Sequence, residues 1–387
     1  VRFVVYRIDT FIKTCLLIFI FLFSSSIIGG ESVESSDISH YCQESHCVVS
    51  NADIAEDKEF FGLALYYNQV SAYMVDASGA NRLEEQSEII LKEKQWFVLT
   101  GRFKVLLIKS PGLAIKFTDT NILLQNKQQV WRSDSFIKIV TKPELTAIAS
   151  ELDQIRYAHL FGPLAWLSKQ VEFILLGLQA NFVSNWGMVV IVFSVLLKLL
   201  LLPVSVMTVQ YQRRVSQIQT KLAPKLAEIK AHFDGEEAHN RLMAAHAELG
   251  VSPFYTLKPI LGSFVQIPVL IAVFNALGEM PQLDGDSFLW MANLAYPDVV
   301  GYLPFSIPML GDKISLMPFG MTVVALIATL LFQNRHLPEI ELKRQKRNLY
   351  LMAAVFFVLF YPFPAAMVLY WTLANVLQII QQKVVKI

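Results

Sequence analysis

Residues 186–206 read WGMVVIVFSVLLKLLLLPVSV, and this stretch decides the fold. As a helix it would be about 30 Å long, the thickness of a bilayer's hydrocarbon core. One charge, Lys198, interrupts it. A charge near mid-bilayer costs roughly 2.5–3.5 kcal/mol on insertion scales, so such residues face protein or water and tend to mark function. Lys198 lies about eight residues, or ~12 Å, from the cytoplasmic end of the stretch. A lysine stem snorkels only part of that distance. Two readings stand: snorkelling, and a water-filled recess that reaches the residue. Ser194, Lys198 and Ser205 fall within ~40° of one another on a helix, which favours the recess.

Outward from this stretch the chain stays apolar. Of 387 residues, 54% are hydrophobic, a composition that points to a polytopic membrane protein. The net charge of +1 carries no argument for nucleic acid. Further spans are expected at about 257–277, 316–334, 348–362 and 364–382. The basic residues of segment 207–256 (Arg213, Arg214, Lys221, Lys225, Lys230, Arg241) and of loop 335–347 place both in the cytoplasm. Loop 278–315, with only Lys313 among several acids, then lies outside. Residues 1–30 carry Arg2, Arg7 and Lys13 before an apolar run from Cys15 to Phe23. They read as a signal peptide or a signal anchor, and the missing small-x-small cleavage site favours the anchor.

Residues 31–150 differ in kind. Short runs of Val, Ile, Phe and Tyr at 95–100, 103–109, 113–118 and 136–140 alternate with turn signals at Ser78-Gly79, Thr100-Gly101 and Ser110-Pro111-Gly112. This pattern predicts a small exported antiparallel β domain, its charged residues forming solvated faces. Cys42 and Cys47 in an exported segment are a disulfide candidate. A metal site from His40, Cys42, His46 and Cys47 lacks a recognised ligand spacing. Residues 151–185 read as an amphipathic helix at the membrane surface, or as a connector packed on the β domain.

Segment 207–256 predicts a helical hairpin. Val215, Ile218, Leu222, Leu226, Ile229 and Phe233 form one apolar stripe. Asp234-Gly235 supplies the turn, and Pro224 should kink or restart the first helix. Polar stripes recur inside the spans: Thr322, Thr329 and Gln333 in the fourth, and Trp371, Asn375, Gln378 and Gln382 in the last. Ser263 and Gln266 stand in the third. Such residues serve as interhelical glue or, on several helices together with a lysine, as one hydrated surface. The last two spans are short and reverse at Tyr361-Pro362-Phe363-Pro364, which should thin the bilayer locally.

Several motifs stand in order. They are Asn185-Trp186-Gly187, a basic residue five before Pro203, and a basic cytoplasmic hairpin with Pro224. Ser252-Pro253 then leads to Gln266-Ile267-Pro268. Last come Phe363-Pro364, Val368-Leu369-Tyr370-Trp371, Asn375 and Ile379-Ile380-Gln381-Gln382. From about residue 160 onward the chain resembles the YidC-type membrane protein insertases. The resemblance implies five core helices around a positively charged groove, open to cytoplasm and lipid and closed toward the outside. It implies insertion and folding of membrane proteins without hydrolysis. It puts the groove's basic residue at Lys198 and substrate-contacting positions at Ser194 and Trp371. With the polar stripes, the candidate groove is Lys198, Ser194, Ser205, Gln266, Thr329, Gln333, Trp371 and Asn375. No cofactor is expected. The implied partners are nascent membrane proteins, lipids and, through the hairpin and basic loops, a translocon, ribosome or targeting receptor. Two departures stand out. Lysine replaces the usual arginine, keeping charge but losing the planar fork, and the exported domain is much smaller than in typical Gram-negative members.

The expected architecture is an all-α polytopic inner-membrane protein with a five-helix insertase core at 186–387. It includes the cytoplasmic hairpin, a signal anchor and a small exported β domain. The N-terminal domain is expected on the periplasmic side and the C-terminus in the cytoplasm. Two rivals remain: a transporter for an anionic solute, against which no internal repeat or broken span pair is evident, and a non-catalytic translocon assembly partner. No nucleophile–base pair, phosphate loop or carboxylate dyad supports an enzyme.

Overall fold

The computed structural model describes residues 36–37, 42–43, 46–55, 60, 62–84, 88–117, 121–125, 135–252, 260–331 and 339–384. The expected anchor at 1–30 lies outside these residues.

The first part is built of strands β1 (Ser36–Asp37), β2 (Cys42–Gln43), β3 (His46–Ser50), β4 (Ser71–Asp76), β5 (Gly79–Arg82), β6 (Glu88–Ile90), β7 (Trp96–Thr100), β8 (Lys104–Lys109), β9 (Ala114–Phe117), β10 (Asn121–Gln125) and β11 (Phe136–Thr141). They form two antiparallel sheets, ordered β1-β11-β8-β7-β4-β5 and β2-β3-β10-β9-β6. Alternation within β7 explains its unbroken apolar run. Phe97 and Leu99 face the second sheet, meeting Val49, Ile115 and Leu124. Trp96 and Val98 face the other way, under Leu145, Leu152 and Ile155 of the following helical turns. Burial of each such side chain stabilises the fold by about 1.5–3 kcal/mol.

The second part is helical: α1 (Gly162–Asn181), α2 (Trp186–Leu200), α3 (Leu202–His232), α4 (Gly235–Glu248), α5 (Ile260–Glu279), α6 (Met317–Leu331), α7 (Glu339–Phe360) and α8 (Ala365–Val384). Two polar residues of α1, Ser168 and Glu172, turn inward rather than toward water. Glu172 is buried, accepting from the Tyr157 hydroxyl and the Arg156 guanidinium at 2.7 Å each. Burial and the facing Glu172 carboxylate push the Tyr157 phenol well above its ordinary value, so it stays a donor.

Residues 186–206 are not one straight helix. α2 and α3 meet at Leu201 with a bend of 57°. Pro203 causes the break, since its ring cannot follow a preceding helical turn but is tolerated in a first turn. No single described helix is long and apolar enough to cross a membrane, and this bent pair has the length and composition to do so. α3 then runs through Pro224 to His232 as one helix, so of the expected kink or restart, the restart does not occur. Its apolar stripe packs on α4 around Leu222 and Ala245, and the chain reverses at Gly235, whose φ of +62° suits glycine.

Between α5 and α6 lies an antiparallel hairpin, β12 (Val299–Ile307) and β13 (Gly311–Ser315), that the sequence reading did not anticipate. Buried Asp298 anchors it. Its carboxylate accepts from the Leu316 and Met317 backbone at the head of α6 and from the Trp290 indole, at 2.6–3.1 Å. Tyr361 adds a second tie, donating to the Lys313 carbonyl at 2.7 Å.

The expectation that charges in the β-rich part form solvated faces fails at its junction with the helices. Arg102 is 3% exposed. It donates to the carbonyls of Gly278 (2.7 Å) and Ala295 (2.8 Å) and lies against the rings of Phe60, Tyr67, Phe103 and Tyr296. Lys142 pairs with Glu279 at 2.7 Å, both nearly buried. Burial of these charges is offset by the two carbonyls and the ring faces around Arg102 and by the facing carboxylate of Glu279 at Lys142.

Candidate functional site

The polar recess is assembled by α2, α3, α5 and α8. Asn185 starts α2, its side chain accepting from the Met188 backbone and donating to the Ser287 carbonyl. Trp186 N–H donates to Asp286. A Cβ at Gly187 would lie 2.0 Å from the Phe288 ring. The Asn-Trp-Gly motif is therefore a socket that seats α2 under the loop after α5.

About two and three turns along, α2 presents Ser194 and then Lys198 to a cavity of about 230 Å³. Six of the eight residues expected at the groove line it: Ser194, Lys198, Ser205, Gln266, Trp371 and Asn375. Lys198 is half-buried and hydrogen-bonds the amide oxygen of Gln378 on α8. Ser205, at the head of α3, donates to Gln381 at 3.0 Å. The Ser194 hydroxyl folds back onto the Val190 carbonyl and Asn375 onto the Trp371 carbonyl. Trp371 packs against Phe274, Phe356 and Phe360. Among the described residues no acidic side chain lines the cavity, so the lysine's partner there is a neutral amide.

The structure adds Thr208 and Gln212, which continue the polar row up α3. They lie three and seven residues past Ser205, a helical spacing legible in the sequence. Gln381 on α8 accepts from Ser205, and the Gln382 side chain is not among those described. The stripe expected on α6 does not join the described lining. Thr322 bonds back to the Pro318 carbonyl, the Thr329 side chain is not among those described, and Gln333 lies outside the described residues. Cys42 and Cys47 stand directly opposite each other in the β2–β3 ladder.

A lysine in a polar recess among apolar helices, one bent pair of which has the length and composition of a span, fits the class of membrane-associated helical proteins. The chain belongs to the 60Kd inner membrane protein family, whose family model matches residues 178–387. Among its relatives, the membrane protein insertase YidC of Pelodictyon phaeoclathratiforme is 30% identical over 355 residues, covering 84% of this chain and 57% of that protein. That of Chlorobaculum tepidum is 29% identical over 224 residues, covering 56% of this chain and 36% of that protein. The chain thus matches between about a third and three-fifths of the length of these relatives. A crystal structure of an active YidC insertase with its first transmembrane domain resolved aligns with 87% of this chain and 78% of its own, at 15% identity and a TM-score of 0.38.

Proposed function

We propose that this protein inserts and folds newly made proteins of the bacterial inner membrane, alone or beside a translocon. In this reading α2, α5, α6, α7 and α8 form the membrane core. The α3–α4 hairpin lies in the cytoplasm with the C-terminus, where it meets the ribosome, a targeting receptor or the translocon. The β-rich part at 31–150 lies on the periplasmic side, and 151–185 links it to the core along the interface. The observation that carries the mechanism is Lys198, half-buried in a polar cavity without an acidic wall residue among those described.

The cavity lowers the cost of bringing a short polar tail partway into the bilayer, because Ser, Thr, Asn and Gln side chains replace its water. An acidic residue on that tail supplies the counter-ion missing around Lys198. At about 4 Å and an effective dielectric near 20 the attraction is about 4 kcal/mol before desolvation is subtracted. The substrate's apolar helix then leaves sideways into lipid, driven by burial of its surface.

The test is insertion of a single-span substrate into vesicles holding only this protein, read by protease protection of its tail. Wild type and Lys198→Arg insert an acidic-tailed substrate, whereas Lys198→Glu loses at least about tenfold, the effect of about 1.4 kcal/mol. Equal loss for acidic and neutral tails overturns the attraction. No insertion above empty vesicles by folded protein overturns the insertase reading in favour of a transporter or an assembly partner.

A further inference from the structure

The hairpin β12–β13 exposes side chains that a solvated loop would not carry. Phe305, Tyr302 and Val300 are 61%, 69% and 53% exposed. Met309 at the turn and Leu289 in the preceding loop are also exposed. β12 contains no charge over its nine residues. Sequence and structure both continue this surface into α6. Leu316, Phe319, Val323, Ile327 and Leu331, at intervals of three and four, form an exposed apolar stripe.

Continuity with α6 points to what covers the hairpin. The exposed apolar stripe of a membrane-embedded α6 faces lipid. Asp298 and Tyr361 hold the hairpin against the α6 N-terminus, so its exposed apolar side chains extend that stripe toward the headgroups. The side chains are those that favour an interface: Tyr and Trp with Phe and Leu. The hairpin's depth is bounded as well. Two strands leave open edges whose N–H and C=O groups need water, which excludes the hydrocarbon centre.

We propose that the β12–β13 hairpin is a lipid anchor, its exposed aromatic side chains seated at the headgroup boundary of the outer leaflet beside α6. It fixes how deep and at what tilt α6 sits. The inference rests on the reading of α6 as membrane-embedded and goes beyond it.

The experiment places a benzophenone-bearing amino acid at Phe305, Tyr302, Val323 or exposed Lys104 of the full chain, with the native cysteines kept. Each variant is reconstituted into phosphatidylethanolamine–phosphatidylglycerol vesicles, and lipid adducts are counted by mass after irradiation. Such side chains favour lipid over water by roughly tenfold or more. Adducts at 305 and 302 are therefore expected near those at 323 and roughly tenfold above those at 104. Adducts at 323 with neither 305 nor 302 above 104 overturn the anchor and leave the membrane core standing. No adducts at 323 overturn the membrane reading of α6, and the anchor with it. Using two hairpin positions keeps the result independent of any one variant's folding.

Discussion

Gly187 is a residue whose role lies in what it lacks. A methyl group there would sit 2.0 Å from the Phe288 ring, far inside van der Waals contact, so α2 could not seat under its loop unchanged. Overpacking of this kind costs about 1–3 kcal/mol. Gly187→Ala is expected to lower the thermal unfolding midpoint in detergent, and Phe288→Ala added to it should restore part of the loss. A midpoint unchanged by Gly187→Ala would show that the socket gives way freely. The same scale shows why the polar recess around Lys198 was legible. A lysine and two serines inside an apolar span are costly to place at random, so their common face reports itself. Thr322 shows the limit of that logic. A threonine can satisfy its hydroxyl on its own helix, as it does on Pro318, and the sequence pattern is the same either way.

Among the elements, the strongly patterned ones could be read and the exceptions have causes. The expected strands at 95–100 and 103–109 appear as β7 and β8 because their residues are apolar on both faces and bounded by turns. β12 escaped because Gly301 and Pro304 argue against a strand. It tolerates them because β13 is its partner on one side only. The register of β2 and β3 carries a prediction of its own. Direct opposition of Cys42 and Cys47 puts their Cα atoms at the 4.5–5.5 Å of an antiparallel pair, inside the range a disulfide spans. Protein isolated under oxidising conditions is expected to yield both thiols to alkylation only after reduction. Reduction should lower stability by about 2 kcal/mol on the chain-entropy estimate. Full alkylation of both thiols without reductant would remove the bridge.

At the scale of the whole molecule, the β-rich part and the helices share one core. Phe60, Tyr67 and Phe103 pack with residues of α1, α2, α5 and α8. Arg102 sits at the centre of that contact and closes the C-terminal end of α5, where unsatisfied carbonyls and the helix dipole both favour a cation. Tyr67 packs over it and holds Gly278 so closely that a Cβ there would lie 2.3 Å from its hydroxyl. None of this was legible, because the partners of Arg102 lie 176 and 193 residues away and a lone arginine beside a turn looks like surface. The expected consequence is mechanical: motion of the β-rich part should couple to α5, which also carries Gln266 in the cavity wall. Arg102→Met keeps the bulk but forfeits hydrogen bonds of a charged donor, each worth about 1.5–3 kcal/mol. Arg102→Lys keeps the charge without the fork that reaches both carbonyls. Both variants are expected to speed protease release of the β-rich part, Met by at least about tenfold, since cleavage tracks the opened population. Insertion should fall in parallel if the coupling serves the groove. Faster release with unchanged insertion would make the clamp purely structural, and unchanged release would show that the apolar contacts alone hold the two parts together.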